Sequence, residues 1–208
     1  MVKVKICGIT NLEDAIAAVD AGCDALGFLF YRKSKRNIEP VKAKEIISQL
    51  PERTIKIGVF VNARLDTVRR IAKSCCLDMV QLHGNESPEY CSKLKGYKII
   101  KVIHVKNKKI TVEELAKYRP FAFLFDSSTR TKVGGTGKTF SWNFIPHPHE
   151  LKTQIFLSGG ISRENVKKAI KETHANWVDA CSSVEIRPGK KDRLKMKEFV
   201  KAAKKIYI

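Results

Sequence analysis

Short apolar stretches alternate with amphipathic stretches along the whole chain. Several of the apolar stretches, such as "ALGFLF" and "FAFLF", contain no charged residue and are rich in the residue types that strands favour. Strands of this kind are typically buried on both faces, as in a parallel sheet. The pattern predicts eight strands, at Val2–Cys7, Ala25–Phe30, Ile55–Val61, Met79–His83, Ile99–His104, Ala122–Asp126, Gln154–Ser158 and Trp177–Cys181.

The stretches between these strands have the apolar spacing of helices, and several carry a helix start signal. Asn11 is placed to cap the first helix, Pro40 lies in the first turn of the second, and Thr111 with Glu114 has the pattern of a capping box. Ser162 is expected to cap the helix in "SRENVKKAIKE". Between the sixth and seventh strands we expect a loop rich in Gly, Ser and Thr, followed by a short helix at most.

The alternation of strands and helices predicts parallel β-α-β units. Eight such units in 208 residues favour the α/β class, with residues 1–208 forming a single-domain (β/α)8 barrel, known as a TIM barrel. An open, doubly wound sheet is the alternative. No linker and no shift in composition divides the chain into two domains.

The composition is that of a globular protein, with 43% hydrophobic residues. No apolar run is long enough for a transmembrane helix, and the first apolar stretch is too short for a signal peptide, so we expect a cytoplasmic protein with no membrane partner. The six cysteines include no C-x-x-C pair and no Cys/His cluster at zinc spacing. We therefore expect no disulfide, no metal and no cofactor.

The chain is strongly basic, with 40 Lys and Arg against 21 Asp and Glu and a net charge of +19. Such a charge is compatible with nucleic acid, an anionic membrane or an anionic small substrate as partner. The basic residues are scattered over positions where helices and loops would face water, which argues against a nucleic-acid site. A non-catalytic basic barrel that binds nucleic acid is kept as the alternative to an enzyme.

Polar or small residues follow all eight predicted strands. In a barrel of this type the catalytic face is built from the carboxyl ends of the strands and the loops after them. A phosphate site is predicted at Gly159 and Gly160 after strand 7 and at Ser182 and Ser183 after strand 8, where backbone N–H groups and a helix start attract anions. We expect a bound phosphorylated small molecule there.

The sequence "GGTGK" resembles a phosphate loop but lacks the spacing of a nucleotide-binding P-loop. We therefore interpret it as a mobile loop that closes over a ligand. Its candidate residues are Gly134, Gly135, Gly137 and Lys138.

Cys7 and Asp126 end strands 1 and 6 and are the candidate acid–base pair across the barrel mouth. A thiolate is a competent base if its pKa is lowered, and a carboxyl held partly away from water can act as an acid near neutral pH. Arg36 is placed to bind a substrate carboxylate through two hydrogen bonds. His83 and His104 are open to either acid–base work or a structural hydrogen bond.

The chain resembles the phosphoribosylanthranilate isomerase family, (β/α)8 barrels of tryptophan biosynthesis. The resemblance runs through "KICGIT", "LGFLFYRKSKRNI", "VQLHGNE", "FDS", "GGTGKTFSW", "LSGGISRENV" and "DACSSVEIRPGKKD". It implies the Amadori rearrangement of N-(5-phosphoribosyl)anthranilate to 1-(2-carboxyphenylamino)-1-deoxyribulose 5-phosphate, without a cofactor. The family includes monomers and dimers, so either a monomer or a homodimer is expected.

The resemblance also implies residue roles. Cys7 is similar to the general base, Asp126 to the general acid and Arg36 to the arginine that holds the anthranilate part. Small residues after strands 7 and 8 would bind the phosphate. Further substrate contacts are expected from Gln81, His83 and Asp179. What lowers the pKa of Cys7 is not evident, because Lys5 points the same way but lies deeper in the barrel.

The chain departs from the family pattern after strand 8, where the family usually reads D-V-S-S-G-V-E and this chain reads "DACSSVE". Cys181 stands in place of a serine and Ser183 in place of a glycine. The Cβ of Ser183 is expected to affect phosphate affinity, unless its hydroxyl serves as an additional donor. The related ribonucleotide isomerisation of histidine synthesis uses paired aspartates, so Cys7 argues against that reaction.

Overall fold

Eight parallel strands close into a barrel in which each strand pairs with the next along the chain and β8 pairs with β1. The computed structural model describes residues 1–106, 108–127 and 141–205. The predicted barrel is confirmed, the open sheet is wrong, and no strand bound differs from its prediction by more than one residue. The strands are β1 Lys3–Cys7, β2 Ala25–Leu29, β3 Ile55–Phe60, β4 Met79–Leu82, β5 Lys98–His104, β6 Ala122–Asp126, β7 Gln154–Leu157 and β8 Trp177–Ala180.

Helices connect the strands over the outside of the barrel. The side chain of Asn11 accepts a hydrogen bond from the backbone N–H of Asp14, and Thr111 with Glu114 forms the predicted capping box. None of the helices in the described ranges is long and apolar enough to cross a membrane. The helices are α1 Leu12–Asp20, α2 Pro40–Ile47, α3 Leu65–Ser74, α4 Pro88–Ser92, α5 Val112–Ala116, α6 Pro148–Leu151, α7 Val166–Thr173 and α8 Arg193–Lys204.

The start of α7 differs from its prediction. Its N-cap is Asn165 rather than Ser162, so the helix begins at Val166. The Asn165 side chain accepts a hydrogen bond from the Ser162 backbone N–H at 2.9 Å and donates one to the Gly160 carbonyl oxygen at 2.8 Å. Because these bonds hold a turn after β7, the helix start lies three residues farther from Gly160 than predicted.

A short antiparallel hairpin after β8 was not predicted. It consists of β9, Glu185–Arg187, and β10, Lys190–Lys191, and it follows a single 3-10 turn at Ser182–Val184. The hairpin is held against the start of α1 by hydrogen bonds from Thr10 Oγ1 to the Gly189 carbonyl and from the Lys191 N–H to Asp14. Strands of two or three residues are too short to show the alternation that marks a strand in the sequence.

The inside of the barrel is filled in layers. The part farther from the carboxyl ends of the strands is apolar. There the rings of Phe156 and Trp177 stack with their centroids 4.6 Å apart. Side chains alternate between the two faces of a strand, so Asp179 and Cys181 follow Trp177 upward on the same inner side. The inner side of the barrel therefore changes from apolar to polar toward the carboxyl ends of the strands.

Candidate active site

A cavity of about 350 Å³ lies at the carboxyl ends of the strands. Its volume falls within the usual range for small-molecule sites. Gly134, Gly135, Gly137 and Lys138 lie outside the described residues. The other predicted site residues all line the cavity: Cys7, Arg36, Gln81, His83, Asp126, Gly159, Gly160, Asp179, Ser182 and Ser183.

A buried ion pair lies one layer below Cys7. The ammonium of Lys5, which is fully buried, lies 2.8 Å from Oδ2 of Asp179, its register partner on β8. Burial raises the pKa of Asp179 to about 7, and Lys5 opposes that shift. Burial alone would lower the pKa of Lys5, but Asp179 and then Cys7 raise it above its ordinary value. Lys5 therefore places a positive charge beside the Cys7 sulfur. The sequence alone did not identify a group that would favour the Cys7 thiolate.

The Cys7 thiol interacts with the thiol of Cys181, the residue after β8. This interaction lowers the pKa of Cys181 to about 6; burial opposes the shift, while Lys191 and Arg36 reinforce it. The same interaction, with burial, raises the pKa of Cys7, and Lys5 opposes that shift. Near neutral pH the two thiols therefore hold one proton and one negative charge between them.

The negative charge shared by Cys7 and Cys181 can be tested by a pH titration, because a thiolate absorbs in the ultraviolet and a thiol does not. The wild-type protein should show a thiolate signal at pH 7 that disappears as the pH falls through about 6. Cys181→Ser should lose most of that signal, because burial keeps the remaining Cys7 thiol protonated. Cys76→Ser, at an exposed position outside the cavity, is the control and should keep it. An unchanged signal in Cys181→Ser would contradict the pairing.

Arg36 is held at the cavity wall by Glu185, which begins β9. Arg36 Nε donates to Oε1 at 2.9 Å and Nη2 donates to Oε2 at 2.7 Å. Lys191 Nζ donates to the same carboxylate at 2.9 Å. Burial alone would raise the pKa of Glu185, but the two cations lower it. The pairing through two hydrogen bonds that the sequence suggested for a substrate carboxylate is thus made with the protein's own Glu185.

A polar chain runs from Gln81 through His83 to Asp126. The Gln81 amide lies 3.0 Å from Nδ1 of His83, and Nε2 of His83 lies 3.2 Å from Oδ2 of Asp126. If the amide nitrogen donates to Nδ1, the proton of a neutral His83 ring is on Nε2, facing Asp126. Asp126 is only 7% exposed. The arrangement can move a proton to or from a buried carboxyl group.

His104 lies next to this chain. Its Nε2 lies 3.2 Å from the His83 carbonyl oxygen, and burial followed by the neighbouring His83 ring lowers its pKa. Potential ligand atoms of His83, His104 and Asp126 lie within 4.8 Å of one another, a spacing that could hold a metal ion. Cys/His spacing did not predict this cluster, because its members lie at the carboxyl ends of three different strands, His83 directly after β4 and His104 and Asp126 at the ends of β5 and β6.

The predicted phosphate site combines two loops. Gly159 and Gly160 have φ angles of +77° and +71°, and a Cβ at Gly159 would collide with the backbone nitrogen of Ser127. The Ser183 hydroxyl donates to the Ile161 carbonyl oxygen at 2.6 Å, which joins the loops after β7 and β8. Ser183 is not one of the non-glycine residues with a positive φ angle in the described part of the chain. A side chain at this position therefore does not strain the backbone.

Sequence reasoning missed the roles of Glu185 and Lys191 in the cavity wall and the contact of Cys7 with Cys181. Glu185 lies within the quoted motif after strand 8, and Cys181 was noted only as a departure from the family pattern. Neither position indicates a partner by itself. The partners are set by the register of β1 against β8 and by the hairpin that follows β8.

Comparison with known proteins gives consistent results. A family model for N-(5'-phosphoribosyl)anthranilate isomerase matches residues 4–202. The N-(5'-phosphoribosyl)anthranilate isomerase of Pelobacter propionicus is 47% identical over 204 residues, which are 98% of this chain and 96% of that protein. The crystal structure of phosphoribosyl anthranilate isomerase from Thermotoga maritima has a TM-score of 0.92 at 43% identity and covers 99% of this chain and 100% of that chain.

A second solved structure carries a ligand. It is a phosphoribosyl anthranilate isomerase in complex with reduced 1-(o-carboxyphenylamino)-1-deoxyribulose 5-phosphate, with a TM-score of 0.82 at 39% identity, and it covers 99% of this chain and 100% of that chain. The family model and the curated relatives both extend over nearly the full chain. The chain therefore belongs to the phosphoribosylanthranilate isomerase family.

Proposed function

We propose that Cys7 is the general base and Asp126 the general acid with which this isomerase of tryptophan biosynthesis rearranges N-(5'-phosphoribosyl)anthranilate. The observation that carries the assignment is that both side chains line one cavity at the carboxyl ends of β1 and β6. A cation, Lys5, lies beside the thiol pair, and His83 lies against the carboxyl group. Each group thus has a neighbour suited to its role.

The first step opens the sugar ring. Asp126 donates its proton to the ring oxygen, the bond between that oxygen and C1 breaks, and the anthranilate nitrogen forms a Schiff base with C1. The ring oxygen leaves as a hydroxyl group. His83, 3.2 Å from the Asp126 carboxylate, can then share or supply the proton that Asp126 has lost.

The second step moves a proton from C2 toward C1. Cys7 as thiolate takes the C2 proton, and the electron pair left behind forms the enol-amine and neutralises the Schiff base. Ketonisation, in which C1 gains a proton and the C2 hydroxyl loses one, gives 1-(2-carboxyphenylamino)-1-deoxyribulose 5-phosphate. Cys7 becomes a thiolate when the single proton of the thiol pair lies on Cys181, a transfer between two interacting thiols.

The two anionic ends of the substrate bind at separate parts of the cavity. The phosphate lies against Gly159, Gly160 and the loop at Ser182, and the carboxylate lies toward Arg36, whose Nε and Nη2 are held by Glu185. Oε1 of Gln81 and Oδ1 of Asp179 are buried and lack a hydrogen-bond partner among the described residues, which supports substrate contacts for both. The alternative of a non-catalytic nucleic-acid-binding barrel is not supported.

The test is a fluorescence assay with purified protein. Phosphoribosylanthranilate fluorescence should decay in proportion to enzyme concentration, without added metal or cofactor. The ribonucleotide isomerised in histidine synthesis is the second substrate to assay, and little or no turnover is expected because strand 1 ends in Cys7. Absence of decay with phosphoribosylanthranilate would overturn the proposal.

The proposal also covers the cellular compartment and the oligomeric state of the enzyme. All six cysteines are free thiols, which supports a reducing cytoplasm. A solved structure of the Thermotoga maritima relative describes that protein as dimeric, which supports a homodimer as one of the two expected states. Light scattering on the eluted protein would separate a monomer from a homodimer.

Gly159→Ala tests the phosphate site. The left-handed backbone costs roughly 1–2 kcal/mol for a residue with a Cβ, and the collision with Ser127 adds to it, so we expect lower stability and a raised KM. Gly96→Ala is the matched control, because Gly96 has φ +91° and nothing within 4 Å of a Cβ. It should lose similar conformational energy with KM unchanged. Equal KM in both variants would contradict the assignment.

A further inference from the structure

Cys7 and Cys181 form a pair of thiols inside the cavity, and the isomerisation proposed above uses the second sulfur only to hold the proton of Cys7. We propose that this pair is a redox modification site, at which a peroxide joins Cys7 to Cys181 in a disulfide that thiol reductants reverse. The effect on turnover rests on the function proposed above, whereas the formation of the bond does not.

Strand register brings the two cysteines side by side. Lys5 pairs with Asp179 and Ile6 with Ala180, and the next residues along the two chains are Cys7, which ends β1, and Cys181, which directly follows β8. Neighbouring strands lie about 4.8 Å apart, within the Cα separations of roughly 4.4–6.8 Å that disulfides bridge. Bond formation at this position therefore requires little backbone movement.

The side chains also point in the same direction. Lys5 and Asp179 meet inside the barrel at 2.8 Å, and side chains alternate with a period of two along each strand. Cys7 and Cys181, two residues farther on, therefore project to the same inner side, and both line the cavity. The two sulfur atoms thus lie on the same side of the sheet, inside the barrel.

The pair is accessible and is surrounded by positive charge. Both residues line the cavity, so a molecule as small as hydrogen peroxide can reach them. Lys191 Nζ lies 4.0 Å from the Cys181 sulfur, and the charge of Arg36 also lowers the pKa of Cys181. Nearby cations favour the thiolate, which is the form that reacts with peroxides. By contrast, burial raises the pKa of three other thiols, Cys23, Cys75 and Cys91.

The oxidation balances with peroxide as the only oxidant. The Cys181 thiolate attacks one peroxide oxygen, the O–O bond breaks, and Cys181 becomes a sulfenic acid while the other oxygen leaves as hydroxide, which takes a proton from solvent to become water. The Cys7 sulfur then attacks the Cys181 sulfur; the S–S bond forms, the S–O bond breaks, and the hydroxyl group leaves with the Cys7 proton as a second water. Counting the proton that Cys181 gives up on ionising, the two thiols lose two electrons and two protons in total.

The disulfide would remove the thiolate of Cys7 from the cavity and thereby stop the proton abstraction assigned to it. In reducing compartments, disulfides that do form are usually transient and serve catalysis or redox sensing. A bond inside an open cavity, next to a solvent-accessible path for a reductant, fits that behaviour. Serine at position 181 would not form it.

The experiment treats full-length wild type, Cys181→Ser and Cys76→Ser with hydrogen peroxide, blocks remaining thiols with iodoacetamide, and identifies linked peptides by mass spectrometry. Wild type and Cys76→Ser should yield a Cys7–Cys181 linked peptide, two hydrogens lighter than its separate parts. Both should lose most of their own starting activity and regain it with dithiothreitol. Cys181→Ser should yield no linked peptide and should lose less activity, because its Cys7 stays protonated and reacts slowly; any sulfinic acid that does form at Cys7 is not reduced by thiols.

The proposal is overturned if Cys7 and Cys181 of peroxide-treated wild type are both recovered alkylated, or if the linked peptide joins other cysteines. Equal loss of activity in peroxide-treated wild type and Cys181→Ser, reversed equally by dithiothreitol, would also contradict it. Failure of the proposed function is a separate result, because an untreated wild type without turnover would leave the peptide masses to decide on the disulfide.

Discussion

Cys7→Ala is expected to lower kcat by about 10²–10⁴-fold, the usual contribution of a positioned acid or base. The reason is that C2 deprotonation loses its base while the cavity, the phosphate loops and Arg36 stay in place. Cys181 should not replace Cys7, because its backbone lies one strand away, and displacements of even 1 Å can cost about 10²-fold. The measurement is steady-state decay of phosphoribosylanthranilate fluorescence, with kcat and KM determined separately.

Two further variants separate a base from a packing residue. Cys91→Ala removes another buried cysteine, in α4 and outside the cavity, and should keep kcat near wild type apart from any loss of stability. Cys7→Asp places a carboxylate beside Lys5 and should retain more turnover than Cys7→Ala. If Cys7→Ala turned over substrate at the wild-type rate in a folded protein, the assignment of the base would be wrong.

Asp126→Asn is expected to lower kcat by a similar factor of about 10²–10⁴, because an amide cannot donate the proton that opens the ring. Asparagine has nearly the shape of aspartate and can still contact Nε2 of His83, so KM should change far less than kcat. The same fluorescence assay measures the effect, and thermal unfolding checks that the variant is folded.

Asp78→Asn is the control for a carboxylate remote from the cavity, since Asp78 accepts an exposed hydrogen bond from the Lys56 backbone. It should leave kcat unchanged. A larger loss of kcat in His83→Asn than in Asp126→Asn would instead assign the acid to His83, which lies 3.2 Å from the carboxylate. Near-wild-type turnover in Asp126→Asn would exclude Asp126 as the acid.

The helix starts show how far local patterns extend. Asn11 and the Thr111–Glu114 capping box are predicted correctly, because a cap depends on residues within one turn. Ser162 fails as a cap because Asn165 forms hydrogen bonds back to Ser162 and Gly160 and closes a turn first. Two residues of suitable type competed for the same position, and the loop conformation decided between them.

The amino-acid sequence by itself determined the eight strands, the barrel and the end of the barrel that carries the site, because each depends on a short-range pattern: apolar stretches that alternate with amphipathic ones, and polar or small residues after each apolar stretch. Only the tertiary structure decided the partners within that site. Lys5 meets Asp179 and Arg36 meets Glu185 across 174 and 149 residues of chain, and Cys7 meets Cys181 in the same way. These contacts depend on strand register and on one short hairpin, for which local patterning carries no signal.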